Sequence, residues 1–120
     1  MTIIPTPRTP LMLFAEDDHE DWILIRDTLQ DCTDQVVFER VEDGVQLLAR
    51  LRDEKLPLPN LIMLDLQMPK MDGGEALRQI RGDKRLRHIP VVIMTTSKLE
   101  VDVFKAYYDG ANSYLIKPVT

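Results

Sequence analysis

The chain has 120 residues, of which 44% are hydrophobic and 29% charged, and its formal net charge is −5. This length predicts one globular domain with its own core, and the negative charge disfavours non-specific binding to nucleic acid or to an anionic membrane. No apolar run approaches the roughly 20 residues of a transmembrane helix, and residues 1–10 lack the pattern of a signal peptide. The single cysteine, Cys32, cannot form an internal disulfide, which fits a reducing, cytoplasmic compartment.

Strand-like and helix-like segments alternate along the chain after an extended, flexible arm predicted at residues 1–10. Segments typical of strands, most of them apolar runs, occupy residues 11–15, 35–41, 61–64, 91–94 and 113–116. Apolar residues recur with helical spacing in four segments: residues 19–32, a segment capped by Asp43, residues 75–81 and residues 99–109. Gly110 is expected to end the last of these helices. This alternation predicts an α/β fold, with a doubly wound five-stranded parallel sheet and helices on both faces.

Polar side chains follow four of the predicted strands at the point where each strand ends. They are Glu16, Asp17 and Asp18 after the first strand, Asp65 after the third, Thr95, Thr96 and Ser97 after the fourth, and Lys117 after the fifth. Each alone has an ordinary explanation, because Asp, Ser and Thr commonly cap the next helix and a lone lysine commonly points into water. The carboxyl ends of parallel strands meet at one edge of the sheet, however, where several carboxylates repel one another unless they share a cation.

A magnesium ion would resolve this conflict of charge. Lys117 supplies one positive charge, whereas Mg²⁺ binds one or two carboxylates directly, retains several waters and favours a phosphate oxygen as a further ligand. The pattern therefore predicts a metal-dependent phosphoryl site in which Asp65 acts as a nucleophile toward phosphorus. In such a site Thr95 would donate a hydrogen bond to one phosphoryl oxygen, and Lys117 would neutralise another.

Four segments together resemble the receiver domain of bacterial two-component response regulators. They are EDD after the first strand, LDLQMPKMDG after the third, MTTS after the fourth and YLIKPV at the end. The resemblance covers nearly all of residues 11–119 and looks strongest to small stand-alone receivers, including those paired with bacterial phytochromes. It implies a flavodoxin-like fold with strand order 2-1-3-4-5.

The resemblance implies a phosphorelay response regulator in which Asp65 is the phosphoacceptor. Asp65 would take its phosphoryl group from the phosphohistidine of a sensor histidine kinase or phosphotransfer protein. Mg²⁺ would be held by the carboxylates of Glu16, Asp17 and Asp65 and by the backbone carbonyl of Gln67. Lys117 would assist the transfer, so the protein would promote its own phosphorylation without being an enzyme with a separate substrate.

The resemblance also implies residues that read or limit the phosphorylated state. Thr95 and Tyr114 would be the switch residues, since Tyr114 turns inward when Thr95 is drawn toward the phosphoryl group. Gln67 and Ser97 occupy positions that tune dephosphorylation in this family. The bond from Lys117 to Pro118 would be cis.

The chain ends at Thr120, where this family has a fifth helix. The sheet face that such a helix covers would be partly bare, which a parallel sheet tolerates poorly. We therefore expect either a longer natural chain or an oligomer such as a homodimer built on that face. No segment suited to binding DNA is found, so the expected output is protein–protein contact.

Two helices offer candidate surfaces for docking a partner. In the first helix, Ile23 is predicted on the polar side, outside the apolar stripe, where a kinase could contact it. The fourth helix carries three aromatic residues that are expected to lie mostly in the core: Phe104, Tyr107 and Tyr108.

Three alternative functions remain open from the residues alone. A haloacid-dehalogenase-type phosphatase also uses a strand-end Asp nucleophile, but it has a second acid two residues later, where this chain has Gln67. A flavodoxin-like flavin binder has a hydroxyl- and Gly-rich phosphate loop after the first strand, where this chain has AEDDHED. A degenerate receiver would bind partners without phosphorylation, although all five site residues are present here.

Overall fold

A computed structural model describes residues 9–33 and 35–117 and contains one parallel sheet. Its strands are β1 (Leu11–Ala15), β2 (Val37–Val41), β3 (Leu61–Leu64), β4 (Val91–Thr95) and β5 (Ser113–Ile116). All neighbouring strands are parallel, in the order β2-β1-β3-β4-β5, which confirms the predicted fold class and topology. The bounds of β1, β3 and β5 are as predicted, whereas β2 begins later, at Val37, and β4 extends to Thr95.

Helices connect the strands, and most of them begin in the same way. They are α1 (His19–Gln30), α2 (Gly44–Arg52), α3 (Gly73–Gly82) and α4 (Glu100–Tyr108). In the first three, an aspartate accepts a hydrogen bond from the backbone N–H three residues later: Asp18, Asp43 and Asp72. Because Asp72 is the cap, α3 begins earlier than predicted. After α4, Gly110 adopts a φ of 109°, a left-handed conformation that suits the predicted end of this helix.

The helices pack on both faces of the sheet, as predicted. On one face, α2, α3 and α4 cover alternate strand residues such as Leu13 and Ile62. On the other face, α1 packs Trp22 against Phe14 and Met63, and the rings of Phe14 and Trp22 meet edge to face with centroids 5.0 Å apart. The central strands β1, β3 and β4 are therefore buried on both sides, which explains why they are almost continuously apolar, whereas Leu115 and Ile116 on the edge strand β5 are 40% and 41% exposed.

Two expectations about helix faces are wrong. Ile23 is partly buried against the core under α1, and the neighbouring Leu24 is the residue that is 45% exposed. In α4, the three aromatic side chains all face solvent: Phe104, Tyr107 and Tyr108. The physical reason is that α4 approaches the sheet through Ala106, a small buried residue, so that its large side chains are turned away from the core.

None of the helices within the described residues is long and apolar enough to cross a membrane. Most of the predicted arm at residues 1–10 lies outside the described residues, as does Pro118, whose preceding bond was expected to be cis. The described end of the arm is exposed at Thr9 and Pro10, and the Pro10 carbonyl accepts a hydrogen bond from Val37 at 2.8 Å. That hydrogen bond extends the pairing of β1 and β2 by one residue, to Pro10.

The loop between β3 and α3 is folded tightly against the ends of two helices. The N–H of Gly73 donates to the Leu66 carbonyl at 3.0 Å, and a Cβ on Gly73 would lie only 2.2 Å from the carbonyl oxygen of Asp65. At the start of α2, a Cβ on Gly44 would similarly lie 2.6 Å from the carbonyl oxygen of Met71. Two helices can approach the loop this closely only because their first residues have no side chain.

We expect Gly73→Ala to lower the free energy of unfolding by about 1–3 kcal/mol, because the new methyl group would overlap backbone atoms that cannot move aside. Gly82→Ala, at the other end of α3, is the matched control, since nothing lies within 4 Å of its Cβ. There alanine should be neutral or stabilising by up to about 1 kcal/mol, because it favours the helix. Urea unfolding followed by Trp22 fluorescence measures both changes. Equal effects at the two positions would contradict the close approach at Gly73.

Candidate functional site

The carboxyl ends of β1 and β3 bring two acidic residues side by side. Ala15 pairs with Leu64, and the N–H of Asp65 donates to the Ala15 carbonyl at 3.1 Å. Glu16 follows Ala15 directly, and its own N–H donates to the Val41 carbonyl at 3.0 Å. Glu16 and Asp65 are therefore held by the sheet itself, and both are buried.

Lys117, at the end of β5, joins these acids to a third one on α1. Its Nζ donates to Glu16 Oε1, and at 2.9 Å to both Asp65 Oδ2 and Asp21 Oδ2. The backbone N–H of Lys117 donates to the Thr95 carbonyl at 2.8 Å, so β4 holds the lysine in place. An ammonium group has three N–H donors, and here each of them has a carboxylate partner.

The electrostatics of this cluster favour the binding of a further cation. Burial raises the pKa of the Glu16 carboxyl group to about 7; the hydrogen bond from Lys117 opposes the shift and the nearby Asp65 adds to it. Burial alone would lower the pKa of Lys117, but its hydrogen bonds to Glu16, Asp21 and Asp65 outweigh that effect and raise the pKa above its usual range. The lysine therefore stays charged, and its single charge does not balance the acids around it.

Three carboxylates are close enough together to hold one metal ion. Glu16, Asp17 and Asp65 each offer a carboxylate oxygen, and these oxygens lie within 4.8 Å of one another. An all-oxygen donor set suits a hard divalent cation such as Mg²⁺ or Mn²⁺ and not Zn²⁺, which favours nitrogen and sulfur ligands. The residues present thus fit the divalent metal that the sequence pattern predicts.

Arg40 on β2 holds the backbone of the acidic loop from the opposite side. Its Nε donates to the Glu16 carbonyl at 2.9 Å, its Nη2 to the Asp17 carbonyl at 3.2 Å, and its Nη1 lies 3.3 Å from His19 Nδ1. The loop is thereby fixed through its main chain, which leaves the two carboxylates free for other partners. Asp18, the third acid of this run, is the N-cap of α1, the ordinary role that its position suggested.

Thr95 and Gln67 belong to a second part of the site, beside the β3–α3 loop. The hydroxyl of Thr95 is buried and has no hydrogen-bond partner among the described residues, which is rare because buried polar groups are nearly always paired. Thr95, Gln67 and Ser97 line a cavity of about 270 Å³ between this loop and α4. The N–H of Gln67 donates to Asp65 Oδ1 at 3.0 Å and so links the cavity wall to the acid cluster.

Ser97 connects the loop after β4 to two other elements. The half-buried Tyr114 donates its hydroxyl to the Ser97 carbonyl at 3.0 Å, and the Ser97 hydroxyl donates to Asp102 Oδ2 at 2.5 Å. The loop that follows Thr95 is therefore tied to β5 through Tyr114 and to α4 through Asp102. The predicted site residues thus fall into two groups, the acids with Lys117 and the polar residues around the loop after β4.

Two residues of the site were not predicted from the sequence. Asp21 lies four residues after Asp17, a spacing of about one helical turn that places it at the same edge of the sheet. An acid in the first turn of a helix is common for other reasons, so this signal is weak. Arg40 gave no signal, because an arginine on an edge strand usually points into solvent.

The chain matches the response regulator receiver domain family over residues 12–120. It belongs to this family. Rcp1 of Synechocystis sp. is 39% identical over 111 residues, which cover 89% of this chain and 76% of Rcp1. The probable methanogenesis regulatory protein FilR2 of Methanothrix harundinacea is 39% identical over 113 residues, covering 92% of this chain and 73% of FilR2.

Solved structures of receiver domains resemble this one closely. The Mn²⁺-bound form of Rcp1 superimposes with a TM-score of 0.86 at 37% identity, covering 92% of this chain and 83% of that one. The phosphorylated cyanobacterial phytochrome response regulator RcpA gives a TM-score of 0.86 at 36% identity, with 92% and 82% coverage. The predicted resemblance to phytochrome-associated receivers is confirmed. Receiver domains are signalling components of phosphorelays and not conventional enzymes, and the metal in Rcp1 agrees with a divalent-metal site at this acidic cluster.

We expect the metal-free protein to lose stability as the pH rises from about 5 to about 8, through the Glu16 pKa of about 7. The folded-state pKa lies above the usual value of 4.5, so the stabilising contribution of protonated Glu16 is complete below that value and is lost as the pH rises through about 7. Urea unfolding in the presence of a chelator measures the change. Glu16→Gln cannot ionise and should show a weaker pH dependence; identical pH profiles for the two proteins would refute the assignment.

Proposed function

We propose that Asp65 accepts a phosphoryl group from the phosphohistidine of a sensor histidine kinase or phosphotransfer protein, in a reaction that requires Mg²⁺. The observation that supports this most strongly is the group of three carboxylate oxygens, from Glu16, Asp17 and Asp65, within 4.8 Å of one another. Such a group is strained by charge repulsion unless it holds a cation. A cation at the tip of a strand, beside a buried aspartate, is suited to phosphoryl transfer.

The proposed transfer uses an oxygen of the Asp65 carboxylate as the nucleophile. The new O–P bond forms as the P–N bond to the donor histidine breaks, and the electron pair of that bond returns to the imidazole ring. The Gln67 N–H on Oδ1 orients the carboxylate before the donor arrives, and the Lys117 ammonium group lies beside it. Phosphoryl transfer needs little from a protein beyond this positioning and the neutralisation of charge.

The metal would be held by Glu16, Asp17, Asp65 and the backbone carbonyl of Gln67. When bound, Mg²⁺ would neutralise negative charge on the carboxylates and on the phosphoryl oxygens. Lys117, which lies beside Asp65, would neutralise a phosphoryl oxygen placed on that side. The protein's own part is to keep this ammonium group charged and in place.

Thr95 would respond to the phosphoryl group, and Tyr114 would report the response. The buried Thr95 hydroxyl has no hydrogen-bond partner within residues 9–33 and 35–117, so a phosphoryl oxygen in the neighbouring cavity would satisfy it. Because Tyr114 is bonded to the carbonyl of Ser97, a shift of the loop after β4 would change the position of its ring. The side chains of Gln67 and Ser97 line the same cavity, which agrees with a role in the lifetime of the phosphorylated state.

The output of such a protein would be contact with other proteins in the cytoplasm. Phe104 and Tyr108 on α4 are 72% and 82% exposed, and large exposed aromatic side chains are typical of surfaces that bind proteins. A second copy of the chain, giving a homodimer, is one such partner. The net charge of −5 disfavours nucleic acid or an anionic membrane as the target.

We expect acetyl phosphate to add one phosphoryl group to the wild-type protein only when Mg²⁺ is present, and to add none to Asp65→Asn. Intact-mass spectrometry reads the result directly. Asp31→Asn, which changes an exposed aspartate at the end of α1, is the matched control and should be labelled like the wild type. Labelling without metal, or labelling of Asp65→Asn, would contradict the proposal. A protein that is never labelled would be a degenerate receiver.

We expect Thr95→Val to raise the free energy of unfolding of the metal-free protein by up to about 1 kcal/mol, because it removes a buried hydroxyl that no described residue pairs with. The same change should slow phosphorylation by about tenfold or more, because a donor to the phosphoryl oxygens is lost. Thr95→Ser keeps the hydroxyl and should retain most of the rate. Unfolding curves and phosphorylation time courses test the two effects separately, and a valine variant that is phosphorylated at the wild-type rate would rule out the role of Thr95.

A further inference from the structure

We propose, on the basis of the proposed metal site, that Asp21 is a positioning residue for divalent-cation binding. Its carboxylate gives the ammonium group of Lys117 a partner when Glu16 and Asp65 turn from Lys117 to the metal. The residue thereby belongs to the site without being one of its metal ligands.

Asp21 differs in two ways from the other partners of Lys117. Lys117 is bonded to Glu16, Asp65 and Asp21, but only the first two belong to the group of oxygens that could hold a metal. The Asp21 side chain is also 40% exposed, whereas those of Glu16, Asp65 and Lys117 are at most 7% exposed. Asp21 is thus the one partner of Lys117 that stands at the edge of the cluster, between the buried lysine and solvent.

Binding of a metal ion would put Lys117 in competition for two of its carboxylate partners. Glu16 and Asp65 would have to serve the metal and the ammonium group at once, and two cations beside the same carboxylates repel each other. The lysine side chain is only 7% exposed, so it cannot exchange its lost partners for water without moving. A buried charge left without a partner is strongly unfavourable, so metal binding requires another acceptor for Lys117.

Asp21 is suited to be that acceptor. Its Oδ2 is already 2.9 Å from Lys117 Nζ, and its side chain is 40% exposed, so water can solvate the rest of the carboxylate. It also lies in the first turn of α1, where the helix dipole favours a negative charge. Lys117 can therefore shift toward Asp21 without leaving the site.

The geometry also predicts whether Asp21 strengthens or weakens metal binding. Asp21 could in principle weaken metal binding, by keeping Lys117 beside the carboxylates that the metal needs. Glu16 and Asp65 hold Lys117 as well, however, so removing Asp21 would leave the lysine more dependent on those two acids. The metal would then compete with a more tightly bound ammonium group, and its affinity should fall.

The test measures Mn²⁺ affinity from the EPR signal of the free ion, with Mg²⁺ added as a competitor. We expect Asp21→Ala to weaken the affinity about tenfold, as loss of a charge-assisted hydrogen bond would do. Asp21→Asn keeps a neutral acceptor and should lie between this variant and the wild type. Glu20→Ala is the matched control, because it removes an exposed acid from the same helical turn, and its effect should stay below about twofold.

A Lys117→Met background shows whether Asp21 acts through the lysine. Without the ammonium group, Asp21→Ala and Glu20→Ala should have the same small effect on Mn²⁺ affinity, which a general structural role of Asp21 would not produce. An Asp21→Ala effect that persists in this background would overturn the inference. Equal effects of Asp21→Ala and Glu20→Ala in the wild-type background would also overturn it.

Two further results separate this inference from the proposed function. If the wild-type protein binds neither ion, the metal site itself is wrong and the role of Asp21 is rejected with it. If the wild type binds both ions but Asp21 variants bind them equally well, the metal site stands and only the role of Asp21 is rejected. Circular dichroism checks that each variant is folded. If Asp21→Ala is unfolded, the affinity of Asp21→Asn is compared with that of the wild type instead.

Discussion

The shared ammonium group of Lys117 is the interaction on which the site depends. It joins carboxylates from the ends of β1 and β3 to the end of β5, and these segments meet only because the strand order is β2-β1-β3-β4-β5. Glu16 and Asp65 are buried, and buried acids are tolerated only when they are paired or protonated. One lysine cannot neutralise all the acids in the cluster. The folded protein therefore retains charge repulsion, which a bound cation relieves, so that part of the free energy of metal binding comes from the fold.

The site combines a part that is held firmly with a part that is not. Asp65 is fixed by the sheet, by the N–H of Gln67 and by the close approach of Gly73, so the proposed nucleophile has little freedom. Thr95 has a backbone paired in β4, but its hydroxyl has no hydrogen-bond partner in the described part of the chain. A ligand oxygen that pairs with this hydroxyl would favour one arrangement of the loop after β4 over another, and that difference in affinity is what shifts a conformational equilibrium. Tyr114 and Ser97 link the loop to β5 and α4, so the same contact reaches the exposed face of α4.

Much of the fold could be predicted from the sequence, and the errors have physical causes. The bounds of β1 and β3 were correct because each is an uninterrupted apolar run that ends at a polar residue, and the end of β5 was correct because Lys117 follows Leu115 and Ile116. The faces of α4 were assigned wrongly because this helix is apolar on several sides, and hydrophobicity does not show that a small residue, Ala106, makes the contact. The strand-end acids were predictable because parallel strands end at one edge of a sheet. Asp21 and Arg40 were not, because their roles depend on side-chain directions that spacing does not determine.

Arg40 and Lys117, the two cationic side chains at the acidic loop, bind different groups of that loop. This difference explains how so many acids are accommodated in a short segment. Arg40 binds the main-chain carbonyls of Glu16 and Asp17 from the side of β2, while Lys117 binds the Glu16 carboxylate from the side of β5. Arg40 therefore fixes the loop without occupying an oxygen that a metal would need. The competition for the carboxylates is left to Lys117 alone, and Asp21 offers this lysine an alternative partner outside the metal-binding group. A site arranged in this way can bind a cation without first breaking the contacts that hold its backbone, so its geometry need not be rebuilt when the metal arrives.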